Sequence, residues 1–259
     1  MSAQASGRLR ARFSRAPQDV EAAQRLRHKV FIAARLGDAA AEGPRAQGLD
    51  ADEFDALCTH ALIEDSASGR LVCCFRMMHL ADGSEIARSY SAKYYELSAL
   101  HDYPSPMVEM GRFCIDPAFS SPDVLRVAWG AMTEFVETNK VGLLFGCSSF
   151  EGVDEQAYLD AFAYLNARHL APKRWLPRVK APSVFRFAKQ LGLTRPNMQL
   201  AMKRMPPLLR TYLTMGGWVS DHAVIDRDLN TLHVFTGVEI DRVPASRRRL
   251  LRMAAPAAG

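Results

Sequence analysis

The sequence predicts an α/β fold in a single domain. Two periodicities alternate along the chain: apolar residues at three- and four-residue steps, which mark helices, and period-two runs, which mark strands. No internal repeat or polar linker interrupts the 259 residues, whose 48% hydrophobic content is enough for a sizeable core.

Val20, Ala23, Leu26, Val30 and Phe31 recur at helical steps, so residues 17–36 are expected to form an amphipathic helix. Arg27, Lys29 and Arg35 fall largely off its apolar face. Residues 37–50, rich in Gly, Ala and Pro, are expected to be a mobile loop leading into the acidic run "LDADEFDALC". "HALIED" and "RLVCCFRMMHL" read as strands of a hairpin turned by "SASG". After a polar segment with several tyrosines comes the strand "MVEMGRFCIDP". The next helix is well marked: Ser121 caps, Pro122 suits the first turn, and Asp123 complements the positive end. Val124, Ala128, Met132 and Phe135 give it a buried stripe. "VGLLFGCSSF" is a further strand and residues 153–169 a further helix. A proline-rich crossing segment, 171–207, precedes a helix over 208–215 and strands near 217–225 and 231–240.

Bulk properties exclude several classes. No apolar run approaches the ~20 residues of a membrane span, and the N-terminus lacks a secretory signal, which points to the cytoplasm. Five cysteines without a C-x-x-C pair, and seven scattered histidines, argue against a disulfide framework and a metal site. The net charge of +5 gathers in "RLRARFSR" and "SRRRLLRM" near the two ends. These read either as solvated tails or as a surface for an acidic partner or anionic lipid. No nucleic-acid signature is present.

The strand over 107–117 is unusual. Val108, Met110, Phe113, Cys114 and Ile115 are core-like, yet Glu109 and Arg112 lie among them, and buried charges demand partners. Alternation places residues 109 and 112 on opposite faces unless the strand bulges, and Gly111 is the natural bulge site.

"EMGRFCIDP", "FGCSSFEG" and "PPLLRTYLTMGGWVSDHAVIDRDLNT" resemble the bacterial ornithine lipid N-acyltransferases of the GNAT superfamily, roughly from Arg25 to Arg242. A weaker similarity, to acyl-homoserine-lactone synthases, runs through Arg25, Phe31, Asp52, Phe54, Asp55, Arg76, Glu109 and Arg112. The resemblance implies a GNAT-like fold with a mixed, mostly antiparallel sheet flanked by helices. It implies transfer of a (3-hydroxy)fatty acyl chain from acyl carrier protein to the α-amine of ornithine, with no cofactor beyond the donor's 4'-phosphopantetheine thioester. Peripheral contact with an anionic inner membrane belongs to the same expectation. GNAT enzymes that use acetyl-CoA carry a glycine-rich pyrophosphate loop, whereas "DPAFSSPDVLR" has no glycine. That departure favours a carrier-protein donor with its single phosphate.

The reaction needs a base for the amine, and Glu109 is the first candidate, with Arg112 as its organiser. The alternative is an ion pair that only holds the strand in register. Asp52 and Asp55 are candidates for the acceptor's second amine, or simply a helix start. Arg25 and Arg76 either bind the acceptor carboxylate or pair with these aspartates. Backbone groups of Phe113, Cys114, Ile115 and Ser121 are expected along the acyl-phosphopantetheine arm, where freed N–H groups would polarise the thioester oxygen. Cys147 reads as a buried thiol before a nucleophile, Asp226, Asp228 and Asn230 as a turn to which the resemblance adds a substrate-facing role, and Trp129, Met132 and Trp218 as core before acyl tunnel. Two alternatives stay open: a signal-molecule synthase using S-adenosylmethionine, and a non-catalytic module that binds carrier protein or membrane.

Overall fold

Period-two alternation in "LRARFS" sets Leu9, Ala11 and Phe13 against Arg10 and Arg12, and the computed structural model makes this segment a strand. The structure describes residues 8–33, 43–119 and 121–254. Residues 34–36 of the expected first helix, and residues 37–42 of the expected loop, lie outside the described residues.

In chain order the elements are β1 (Leu9–Ser14), α1 (Pro17–Arg27), β2 (Thr59–Asp65), β3 (Arg70–Leu80), β4 (Tyr95–Glu96), β5 (Met107–Ile115) and α2 (Pro122–Thr138). There follow β6 (Leu143–Glu151), α3 (Leu159–Arg168), β7 (Arg178–Val179), β8 (Val184–Phe185), α4 (Phe187–Leu191) and α5 (Met198–Arg204). Last come α6 (Pro207–Thr214), β9 (Trp218–Val219), β10 (Ala223–Asp226), β11 (Thr231–Glu239) and α7 (Ala245–Ala254). The basic segments near the two ends fall in β1 and α7.

The chain divides into two compact units, each built from separate stretches. One comprises Met1–His79, Met110–Lys140 and Ala245–Gly259, the other Leu80–Glu109 and Val141–Pro244. In the first unit the strands run β1, β2, β3 and the later half of β5. The β1–β2 and β2–β3 pairs are antiparallel. α1 packs Ala23 and Leu26 onto Leu62, Cys74 and Cys114. A wider π-type stretch, His28–Ala33, continues α1 where a plain helix is expected. α2 starts as its signals require, with Ser121 Oγ accepting from Asp123 N. Val124, Ala128 and Met132 are buried along it, and Phe135 meets the Phe13 ring edge-on at 5.6 Å.

In the second unit the early half of β5 pairs in parallel with β6, through Met107–Glu109 against Leu143–Phe145. β6 pairs with β11, β11 with β10, and β10 with β8, all antiparallel. Directly opposite residues share a face, so Glu109, Phe145, Cys147, Phe235 and His233 line one side of this sheet. The other side buries Phe150, Leu232 and Val234 in a core with Phe162, Phe187 and Leu209. Gly237 is required by close approach, because a Cβ there would come within 2.5 Å of the Trp218 ring.

Candidate active site

Three arginines meet three aspartates in the first unit. α1 supplies Arg27, β3 supplies Arg76 and β5 supplies Arg112, while Asp50, Asp52 and Asp55 come from the loop before β2. Arg27 is 1% exposed. It donates to Asp50 Oδ2 (3.0 Å) and, with both terminal nitrogens, to Asp55 (2.7 and 2.8 Å). Arg76 donates to Asp55 Oδ1 (2.7 Å) and to both oxygens of Asp52. Arg112 pairs with Asp50 (3.2 Å) and Asp52 (3.3 Å). Burial pushes the Asp55 carboxyl up, but hydrogen bonding from Arg27 and the charges of Arg27 and Arg76 overcome it and hold it well below the usual carboxylate range. Asp52 is likewise held low against burial, by Arg76 and then Arg112.

This arrangement revises the sequence reading in two places. Arg25 is exposed and, among the described residues, pairs with Glu21, one turn back on α1. Arg27, expected off the apolar face, holds the buried position. The spacing carried a signal for this, since 27 lies four residues from both Ala23 and Phe31. Arg76, Asp52 and Asp55, expected together, are together. Arg76 pairs with the aspartates, the second of its two readings.

The irregularity in β5 lies at Arg112, whose φ of 54° is left-handed. Gly111, the expected bulge, has ordinary surroundings, since a Cβ there would meet nothing nearer than Arg76 Nε at 3.9 Å. A left-handed non-glycine residue costs ~1–3 kcal/mol, and here the two aspartates anchor the guanidinium that demands it.

Glu109 lies in the second unit, 5% exposed. Its Oε2 accepts from Tyr90 N (2.7 Å), and its Oε1 from Ser91 N (2.7 Å) and Ser91 Oγ (2.5 Å). The 90–95 segment thus covers the sheet face that carries Glu109. Ser91 Oγ is also 3.5 Å from Cys147 Sγ, and Tyr95 donates its hydroxyl to His233 O (2.7 Å). Sequence reading missed Tyr90 and Ser91, because two of the three donors are main-chain N–H groups of an irregular segment and leave no side-chain pattern.

Phe113 stacks on Phe75 at 5.5 Å, and the Cys114 thiol is buried 3.5 Å from Cys74 Sγ. The Ser121 amide already donates to Phe119 O (3.2 Å), and its hydroxyl is spent on the cap, so this helix start offers fewer donors than expected. Asp226 Oδ1 accepts from Asp228 N and Leu229 N, which makes "IDRDLN" the expected turn. Trp129, Met132 and Trp218 are core.

Residues 26–130 match the family model described as "Acetyltransferase (GNAT) domain". The chain is 32% identical over 228 residues to the L-ornithine N(alpha)-acyltransferase of Rhodobacter capsulatus, covering 86% of each protein. It is 28% identical over 244 residues to the protein of that name from Brucella abortus, covering 92% of this chain and 86% of that one. Among solved structures, the CoA-dependent acyl-homoserine lactone synthase MesI is similar at a TM-score of 0.51 and 11% identity, over 96% of this chain and 97% of that one. The CoA-dependent synthase BjaI, solved with MTA, is similar at 0.51 and 14%, over 96% and 90%. The structural likeness bears on fold alone: a GNAT-like α/β arrangement with a mixed, mostly antiparallel sheet.

Proposed function

This chain belongs to the L-ornithine N(α)-acyltransferase family, and on that premise we propose that it transfers a (3-hydroxy)fatty acyl group from acyl carrier protein to the α-amine of L-ornithine. The product is a lyso-ornithine lipid. Identity to the Rhodobacter protein along most of both chains is the observation that carries this reading.

In the reaction the neutral α-amine attacks the thioester carbonyl. The N–C bond forms, the C–S bond breaks, the amine's proton passes to Glu109, and the leaving thiolate takes up a proton to become the carrier's free thiol. Glu109 suits the base because three donors hold its carboxylate in one place on a partly apolar face, at the end of a rigid ladder. Arg112 and Asp52, 13% and 17% exposed, are the more open charges of their cluster, and they take the acceptor's carboxylate and second amine. Asp55 and Arg76, about 5% exposed, position those two rather than touch substrate. Backbone groups of Phe113, Cys114 and Ile115 serve the thioester. The glycine-free run before α2 and the engaged Ser121 amide favour a donor with one phosphate, hence carrier protein over coenzyme A. An acidic carrier and an anionic inner membrane both suit a chain of charge +5.

The test is thiol release from 3-hydroxyacyl carrier protein, followed with and without ornithine. Release should depend on ornithine, and Glu109→Gln should lower kcat/KM by ~10²–10⁴ and remove the acidic limb of its pH profile. An unchanged pH profile in Glu109→Gln would remove Glu109 from the base role.

A further inference from the structure

The second unit contains a stretch of sixty residues, 161–220, without one aspartate or glutamate. It holds eleven lysines and arginines, from Arg168 to Arg210, and is bracketed by Asp160 and Asp221. The chain as a whole has 28 acidic residues, so this is a marked local exclusion of negative charge.

Among the described residues, the same stretch carries most of the large apolar side chains left open to solvent. Leu193 is fully exposed, at 101%, and Met198 and Leu200 are 49% and 45% exposed. Around them Arg186, Lys189, Arg195, Lys203 and Arg204 are exposed and form no ion pair with a described residue. On α5, Leu200 and Lys203 point away from Ala201, which is buried. The tip is braced. Thr194 N donates to Leu191 O (2.8 Å), and Asn166 Nδ2 donates to Gly192 O (2.7 Å). Asn197 caps α5 by accepting from Gln199 N and Leu200 N. The bracketing carboxylate of Asp160 is occupied by Asn197 N (2.7 Å). Leu193 is thus fully exposed on a hydrogen-bonded turn, in a segment with five exposed cations.

We propose that the 186–204 protrusion is the surface by which this protein docks on anionic lipid, with Leu193, Met198 and Leu200 entering the headgroup boundary and the five cations pairing with phosphates. This gives a place to the membrane contact in the proposed function, and it rests on no step of the chemistry. An acidic protein also complements the charge, but large apolar side chains this exposed beside cations match a lipid boundary better. In the N-terminal basic segment, by contrast, Arg8 and Arg12 are already paired, with Asp65, Asp19 and Glu64.

The experiment is flotation of the full chain with phosphatidylcholine vesicles, with or without a one-third share of phosphatidylglycerol. Binding should require the anionic lipid and weaken with salt. Leu193→Asp with Leu200→Asp should lower vesicle affinity at least ~10-fold, and Lys203→Glu with Arg204→Glu by a similar factor. Thiol release from acyl carrier protein in vesicle-free buffer should stay unchanged in both, since these side chains are on the surface and outside the site. Equal binding by wild type and both variants would overturn the proposal, as would absence of vesicle binding by wild type. Loss of carrier-protein affinity with vesicle binding intact would reassign the surface to the carrier. Vesicle binding without ornithine-dependent thiol release would leave the docking surface standing and remove the catalytic reading instead.

Discussion

Arg27 shows how much one buried charge is asked to hold. Its guanidinium reaches Asp50 and Asp55 while 1% exposed, so removing it strands carboxylates in a low-dielectric interior. Arg27→Ala should destabilise the protein by ~3–5 kcal/mol in urea unfolding. Arg25→Ala, two residues away on the exposed side, should stay within ~0.5 kcal/mol. Comparable losses at both positions would mean that the cluster does not organise the loop. The sequence showed basic residues on α1 and acids in "LDADEFD", but not their pairing. Pairing across 23 to 28 residues depends on a loop path that no local pattern encodes.

At the scale of the element, β5 changes its geometry at Arg112 rather than at Gly111. The left-handed φ of 54° separates the half that ladders with β6 from the half that turns its charge onto Asp50 and Asp52. Arg112→Gly and Arg112→Ala lose the same ion pairs, but only glycine adopts this φ without strain. The glycine variant should therefore be the more stable by ~1 kcal/mol in thermal or chemical denaturation. Equal stability would indicate that the strand relaxes once the guanidinium is gone. Most elements were legible because their signals are local: the hairpin of β2 and β3, the capped start of α2, and the alternation of β11. The exceptions have physical reasons. Around β1 alternating arginines mimic a solvated tail, and on this edge strand Arg12 is held by Asp19 and Glu64, with Arg8 just before it held by Asp65. The short elements β8, α4 and α5 pack on α3 through Phe185, Phe187 and Met202, which proline spacing does not reveal.

For the whole molecule, buried ionisable groups govern how stability depends on pH. Burial lowers the pKa of His60 and His169, and takes His233 down to about 3. These histidines bind protons more readily when unfolded, where the ordinary value is 6.5. Their contribution is complete above that value and drains away as pH falls through the window down to about 3. Asp52 and Asp55, with folded pKa values lowered, add a further loss at still lower pH. Tm should thus be flat near neutrality and fall steadily below about pH 6.5, and His233→Asn should flatten part of that slope. A Tm that holds constant from pH 7 to pH 4 would contradict the buried, neutral state of His233. The candidate site was legible to the extent that Glu109, Arg112, Asp52, Asp55 and Arg76 stand out as charges beside apolar runs. The substrate was not, because composition and periodicity do not encode an acceptor, and it entered through similarity to a family.

The proposed transfer makes a new bond to one nitrogen, and mass spectrometry of the product reads it directly. With 3-hydroxyacyl carrier protein and L-ornithine, the purified chain should yield a single acyl-ornithine whose fragments place the acyl group on the α-nitrogen, one for each carrier thiol released. Thiol release with only free fatty acid, or acylation of a different amine, would contradict it.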